Sequence, residues 1–317
     1  MSGKHSAIER YIQNLKQASE LLPSTQVELE KYVQEPELSI TSLPELNYKI
    51  WGLQRGGITV IGGRTSQGKS GLALQMAYDL ADQNHNIVFL SLEMTAQSLV
   101  ERLFCNLLRI NNLTLQRGAF KTEYQTQWGT FKQMLNVPLK LSSGLGKTFE
   151  DINLMVQLLE PKPKAIFIDH IQGIRKGYNE RRDMDDYLLE FKELCLEHNI
   201  AGVVVSQNSR KVFDEENKEP TLANLKGTGS LEEIAVSCLL LFWPHFYNSN
   251  LDRNLYKIII AKQRNGSTGY HLVNFIPEHY RFEELTLKQR ENLNKQKGIT
   301  ETAKQTFGAT ETRRQDD

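Results

Sequence analysis

Apolar residues gather in short runs from residue 58 onward: "ITVIG", "NIVFLSLEM", "KAIFIDH", "IAGVVVSQN", "CLLLFW", "YKIIIAK" and "HLVNFIP". Several are continuous and β-branched, the pattern of strands buried on both faces of a largely parallel sheet. Between them, residues 70 to 83, 94 to 109 and 185 to 198 carry apolar positions at helical spacing. The alternation predicts an α/β fold with helices on both faces of a doubly wound sheet. No helical stretch separates the last two runs, so "YKIIIAKQRNGSTGYHLVNFI" predicts an antiparallel hairpin that turns at Asn265-Gly266 and ends the sheet.

The flanks differ from this body. Ala7, Ile8, Tyr11, Ile12, Leu15, Ala18, Leu21 and Leu22 recur at helical spacing in an otherwise polar segment of residues 1 to 45. They predict an amphipathic, linker-like helix followed by an extended stretch; its stripe could cover the chain's own core or a neighbouring copy. Residues 287 to 317 are polar, with few large apolar side chains, and predict a disordered tail. The expected domain is residues 46 to 286, with no internal repeat.

Composition narrows the class. At 317 residues one α/β domain with flanking segments fits, and no apolar run nears the roughly 20 residues of a membrane span. The first residues lack the apolar core of a signal peptide, so the expected location is cytoplasmic, with no membrane partner. Cys105, Cys195 and Cys238 lie far apart, and no HExxH pair occurs, which argues against a disulfide framework or a zinc site. Basic and acidic residues balance at 38 each, so nucleic-acid binding would need a local patch.

The densest chemistry lies in "GGRTSQGKS". Gly63, four residues and then Gly68-Lys69-Ser70 satisfy GxxxxGK[ST] between a predicted strand and the helix "SGLALQMAYDLA". In that context the backbone of Gly63, Arg64, Thr65, Ser66, Gln67, Gly68, Lys69, Ser70 and Gly71 can wrap a nucleotide's phosphates, aided by the helix dipole. Lys69 can reach the β- and γ-phosphates of ATP, and the Ser70 hydroxyl can ligate Mg²⁺. "AIFID" ends in Asp169 after four apolar residues, a Walker B carboxylate for Mg²⁺. "IVFLSLEM" offers Glu93 as general base; taken alone it reads equally as a helix cap. Gln207 ends "GVVVSQ", where an amide can sense the γ-phosphate or attacking water, or serve structure only. Lys262 and Arg264 alternate on one strand and so face one way, either as a solvated edge pair or as joint contributors to a site.

In order and spacing, "GLQRGGITVIGGRTSQGKSGLALQMA", "SLEM", "FIDHIQ", "VVVSQNSR" and "IIIAKQRNGSTG" with "FIPEHYRFEE" resemble the RecA-like motor domain of DnaB-type replicative helicases, over roughly residues 40 to 284. The resemblance implies an ATP-driven hexameric ring that encircles single-stranded DNA and moves five-prime to three-prime, with nucleotide held between subunits. It assigns Lys262 and Arg264 as the cations that reach a neighbour's γ-phosphate. It also places a first DNA-contacting loop at Arg175, Lys176, Arg181 and Arg182, and a second at Lys226, Gly227, Thr228 and Gly229, which judged alone read as surface turns.

Departures from the family pattern fall near the second loop and the N-terminus. Ile234 and Val236 stand where the family typically has aspartates, His170 stands where tyrosine is common, and "KVFDEENKEP" is acidic where the family is usually basic. The segment before the motor leaves room for a linker helix but not the usual collar domain, so primase recruitment through a collar does not carry over, though a helicase loader or primase stays a candidate partner. A short motor of this kind suits a phage, plasmid or other mobile element. Two alternatives are a RecA-like ring ATPase that loads or remodels a replication partner without unwinding DNA, and a recombinase filament. "SLEM" and "AKQRNG" disfavour the latter.

Overall fold

The computed structural model describes residues 17–30, 36–143, 148–173, 180–208, 218–225 and 228–295. The chain divides into two units, Met1–Glu37 and Leu38–Asp317. In the first, a 3₁₀ turn, Ala18–Leu21, leads into helix α1, Leu22–Glu30. Leu21, Leu22 and Val27 are exposed there. The larger part of the predicted stripe, Ala7 to Leu15, lies outside the described residues.

The second unit is built on one nine-stranded sheet in the order β3-β2-β4-β5-β1-β6-β7-β8-β9. The strands are β1 Ile58–Gly63, β2 Ile87–Ser91, β3 Leu139–Ser143, β4 Ala165–Asp169, β5 Ala201–Gln207, β6 Ala235–Phe242, β7 Leu255–Gln263, β8 Gly269–Ile276 and β9 Arg281–Glu284. β1 to β6 are parallel, and β7, β8 and β9 extend the sheet antiparallel from β6. The helices that matter below are α2 Pro44–Ile50, α3 Lys69–Asp82, α4 Ala96–Leu108, α5 Trp128–Met134, α6 Phe149–Leu158, α7 Glu180–Glu197 and α8 Thr228–Ile234.

The continuous apolar runs have a direct cause: the sheet separates two cores. Ile61, Phe89, Phe167, Val203 and Val205 face the core that holds α3 and α4. Their strand neighbours Val60, Val88, Ile166, Ile168 and Val204 face the core that holds α7. Successive residues point to opposite faces, so a strand covered on both sides must be apolar throughout.

Three features differ from the sequence expectations. The hairpin forms, with Ile260 opposite Gly269, but it does not end the sheet, because β9 pairs with β8. β9 carries one buried side chain, Phe282, among polar ones and is held by a side chain from α3: Gln75 Oε1 accepts from Phe282 N (2.9 Å) and Gln75 Nε2 donates to Phe282 O (2.8 Å). β3 likewise escapes prediction, being a short edge strand exposed along much of its length.

Residues 287–295, expected to lack structure, are helical. Thr286 and Gln289 form a reciprocal cap, with Gln289 N donating to Thr286 Oγ1 (3.3 Å) and Thr286 N to Gln289 Oε1 (2.9 Å). Arg290 then pairs with Glu45, and Glu284 accepts from His271 at 2.8 Å, so this corner is closed by charge. The rest of the expected tail, 296–317, lies outside the described residues.

α2 ends in an unusual way. Its C-cap, Trp51, is left-handed at φ 56°, with its N–H bonded to the Asn47 carbonyl. Glycine is the usual residue in this conformation, and a side chain there costs about 1 kcal/mol.

Candidate nucleotide site

The P-loop follows β1 at the carboxyl ends of the parallel strands and opens into α3, which starts with Leu72 N bonded to Gly68 O at 2.9 Å. Gly68 has φ 78°, and a Cβ there would come within 2.9 Å of the Phe275 and Phe282 rings. Glycine is required here on both counts, backbone conformation and space. The antiparallel half of the sheet supports the loop from below: Tyr256, fully buried, donates its hydroxyl to the Gln67 carbonyl at 2.5 Å, and Gln67 Nε2 reaches Tyr247 Oη at 3.3 Å. Arg64 lies over the Phe246 ring at 4.6 Å, while Thr65 and Ser66 are exposed at the tip. Gly71 leaves 3.1 Å between a built Cβ and the Tyr280 carbonyl, so the first turn of α3 is also closely packed.

Lys69 is buried and donates from Nζ to the Arg64 carbonyl at 2.7 Å. Burial lowers its pKa to about 8, against the opposing pull of Asp169 and Glu93. Asp169, at the end of β4, is 1% exposed. Burial pushes its carboxyl up, and the Ser70 hydroxyl bond and the charges of His170, Lys69 and Arg102 act the other way. Its Oδ2 is buried with no hydrogen-bond partner. A buried carboxylate oxygen left open beside a hydroxyl is the donor set a hydrated Mg²⁺ would complete, so Ser70 and Asp169 fit that ion.

Glu93 follows β2, whose neighbour is β4, and this adjacency brings Glu93 Oε2 to 3.2 Å from His170 Nδ1. The other ring nitrogen of His170 lies 3.4 Å from Gln207 Nε2. Gln207 in turn has its N–H on Gln172 Oε1 (3.3 Å), and Gln172 Nε2 donates to Ser206 Oγ (2.8 Å). His170, noted from sequence only as a departure, is therefore the bridge between the candidate base and the candidate sensor. The signal that could have found it is its place directly after the Walker B aspartate.

Lys262 and Arg264 lie at the other end of the sheet. Gly63 is level with Leu241, whereas Lys262 is level with Cys238 and hence with Val60, three residues back along β1. At strand rise that is about 10 Å before the P-loop begins, and Arg264, bonded through its N–H to Val236 O, lies further still. Both side chains end on carbonyls at the C-terminus of α8: Lys262 Nζ on Glu232 and Glu233, and Arg264 Nη2 on Glu233 at 3.1 Å. Cations are stabilised at that end of a helix.

Of the residues expected to contact DNA, Arg175, Lys176, Lys226 and Gly227 lie outside the described residues. Arg181 and Arg182 fall in the first turn of α7, and Thr228 and Gly229 in the first turn of α8. A hydrogen bond from Ser230 to Asp185 ties those two helices together. Ile234, which stands where the family typically has an aspartate, is buried in the α7-side core.

With this geometry in view, comparison with known proteins is specific. The family model described as "DnaB-like helicase C terminal domain" matches residues 40–284. The chain belongs to this family.

The DnaB-like domain is 30% identical over 257 residues to the replicative DNA helicase DnaB of Geobacillus stearothermophilus, covering 77% of this chain and 56% of that one. It is 33% identical over 236 residues to a probable plasmid replicative DNA helicase of Chlamydia trachomatis, covering 73% and 51%. The chain thus spans about half the length of the curated relatives it matches. Among solved structures, an ATPase domain determined on its own superposes with a TM-score of 0.77 at 23% identity, over 86% of this chain and 100% of that one. A DnaB-like replicative helicase described with its interactions with primase gives 0.76 at 23% identity, over 86% and 68%. The fold of the DnaB-like domain is RecA-like.

Proposed function

We propose that this DnaB-like domain is the ATP-hydrolysing motor of a replicative DNA helicase, working as a ring, with hexamers the expected size, that moves on single-stranded DNA. The observation that carries this reading is the split of charge along the sheet. Lys69, Asp169 and Glu93 gather at the P-loop, whereas Lys262 and Arg264 stand three or more residues back along the sheet, which supports their serving another copy's P-loop.

In the reaction, the backbone from Gly63 to Gly71 holds the β- and γ-phosphates, and Lys69 exchanges the Arg64 carbonyl for phosphate oxygen. Ser70 and Asp169 would hold Mg²⁺, which would supply neutralisation of the phosphate charge. A water oxygen bonds to the γ-phosphorus as the bond to the β–γ bridging oxygen breaks, and Glu93 takes the water's proton. His170 orients Glu93 and connects it to Gln207, which is placed to report the γ-phosphate to β5. Lys262 and Arg264 of the adjacent copy stabilise the charge that develops on the transferred group.

Arg175, Lys176, Arg181, Arg182, Lys226, Gly227, Thr228 and Gly229 are the proposed DNA contacts, and their backbone-directed chemistry suits sliding without sequence reading. Primase or a loader is the proposed further partner. Among the described residues no helix is long and apolar enough to cross a membrane.

The test is ATP hydrolysis with and without single-stranded DNA over a range of salt. The motor reading expects stimulation that weakens as salt rises. Absence of stimulation at low salt would shift the assignment to a ring ATPase that remodels a replication partner.

A further inference from the structure

The edge that carries Lys262 and Arg264 also carries an aromatic pair that the core does not use. Trp51 holds φ 56°, a backbone region that penalises bulky side chains, yet its side chain is 39% exposed. Tyr48, which meets it edge to face at 6.3 Å, is 76% exposed. Neither ring belongs to the two apolar clusters around the sheet. Strain combined with exposure at a bulky residue points to a role outside the chain's own packing.

The pair is fastened to the hairpin. Gln263 Nε2 donates to the Ile50 carbonyl at 2.8 Å, Asn265 Nδ2 to Gln54 Oε1 at 3.1 Å, and Lys49 Nζ to the Tyr270 carbonyl at 2.8 Å. The two rings and the Arg264 side chain therefore belong to one edge, which carries the cations Lys49, Lys262 and Arg264, the last two beside the carboxylates of Glu232 and Glu233. The P-loop mouth offers the complement: the exposed carboxylate of Glu93 and an exposed aromatic, Phe246, beneath Arg64.

We propose that Tyr48 and Trp51 are an aromatic anchor that docks on a second copy of this chain, against the face onto which its P-loop opens, so that seating the anchor delivers Arg264 to that copy's nucleotide. The proposal rests on the reading that Lys262 and Arg264 act across copies. The two contacting faces differ, so the contact is heterologous and closes into a ring when its rotation permits. Large aromatic side chains are the residues that most often dominate such contacts.

Sedimentation velocity of the full chain, with Mg²⁺ and a non-hydrolysable ATP analogue, tests it. Trp51→Gly is expected to raise the protein concentration for half-assembly roughly tenfold or more. Thermal unfolding of the unassembled chain should stay level or rise, since glycine is unstrained at this φ. Trp51→Phe keeps the ring and should assemble as the wild type does. Tyr48→Ala, which leaves the backbone alone, should weaken assembly several-fold. Assembly of Trp51→Gly and Tyr48→Ala at wild-type concentrations would overturn the anchor while leaving the shared site standing. Normal ATP hydrolysis by Arg264→Ala would instead overturn the across-copy reading, and a wild type that stays single with analogue and single-stranded DNA would overturn both.

Discussion

The two ends of the sheet handle charge in opposite ways. At the P-loop end Lys69 and Asp169 are 8% and 1% exposed, set under closely packed glycines and held by the chain's own hydrogen bonds. At the other end Lys262 and Arg264 rest on helix-terminal carbonyls, with the exposed Tyr48 and Trp51 beside them. The first end spends stability on preorganisation and is nearly complete within one copy. The second carries strong cations with no phosphate site of its own within reach, and its aromatic neighbours sit exposed. The difference is what the proposed shared site requires, with burial at the P-loop face and cations for delivery at the other.

The comparison can be sharpened along α3, which buries charge at both of its ends. Asp79, near the C-terminus, accepts from Ser42 N (3.1 Å) and Ser42 Oγ (2.6 Å), and burial raises its pKa to about 6. A raised carboxyl contributes stability below its unfolded value of 3.8 that is lost as pH climbs through about 6, so the ionised group is a net cost at neutral pH. Asp79→Asn keeps an oxygen for both Ser42 donors. It is expected to stabilise the chain by on the order of 2 to 3 kcal/mol above pH 6 and by nothing below pH 4, as read from thermal unfolding across pH. A destabilised variant at pH 8 would show that this charge, too, is used.

Lys69 gives a smaller but more specific effect. Its lowered pKa means that its contribution to stability is present above 10.5 and lost as pH falls through about 8, a cost accepted in the empty site. A triphosphate restores the charge. Binding of Mg²⁺-ATP near pH 8 should therefore take up about half a proton, measured by calorimetry in buffers of different ionisation enthalpy. Lys69→Met should lose that uptake, whereas binding without proton uptake in the wild type would place the lysine's titration elsewhere.

The sequence made the P-loop end legible because local rules act there without help. A β-branched run, required glycines, a helix and an aspartate ending an apolar strand each leave a pattern of their own. The other end leaves less. Lys262 and Arg264 were visible as an alternating pair, but their distance from the P-loop depends on how β7 registers against β6 and β6 against β1. His170 gains its role only because β4 lies between β2 and β5, which no local pattern states. β9 and the helix over 287–295 depend on Gln75, Glu45 and Asn274 from distant parts of the chain. Trp51 leaves no signal in the sequence, since its left-handed conformation follows from where α2 stops. Tertiary contacts decided each of these, and local propensity did not.

The central claim is that each nucleotide site is completed by a second copy, and mixing two inactive variants tests it most directly. Lys69→Ala removes the P-loop cation, and Arg264→Ala removes the delivered one; each alone should lower ATP hydrolysis on the order of a thousandfold. In a one-to-one mixture about a quarter of the contacts join an intact P-loop to an intact Arg264. Hydrolysis is expected to return in that mixture toward the same fraction of the wild-type rate. A mixture no more active than its components, or an Arg264→Ala variant that hydrolyses ATP unaided, would contradict it.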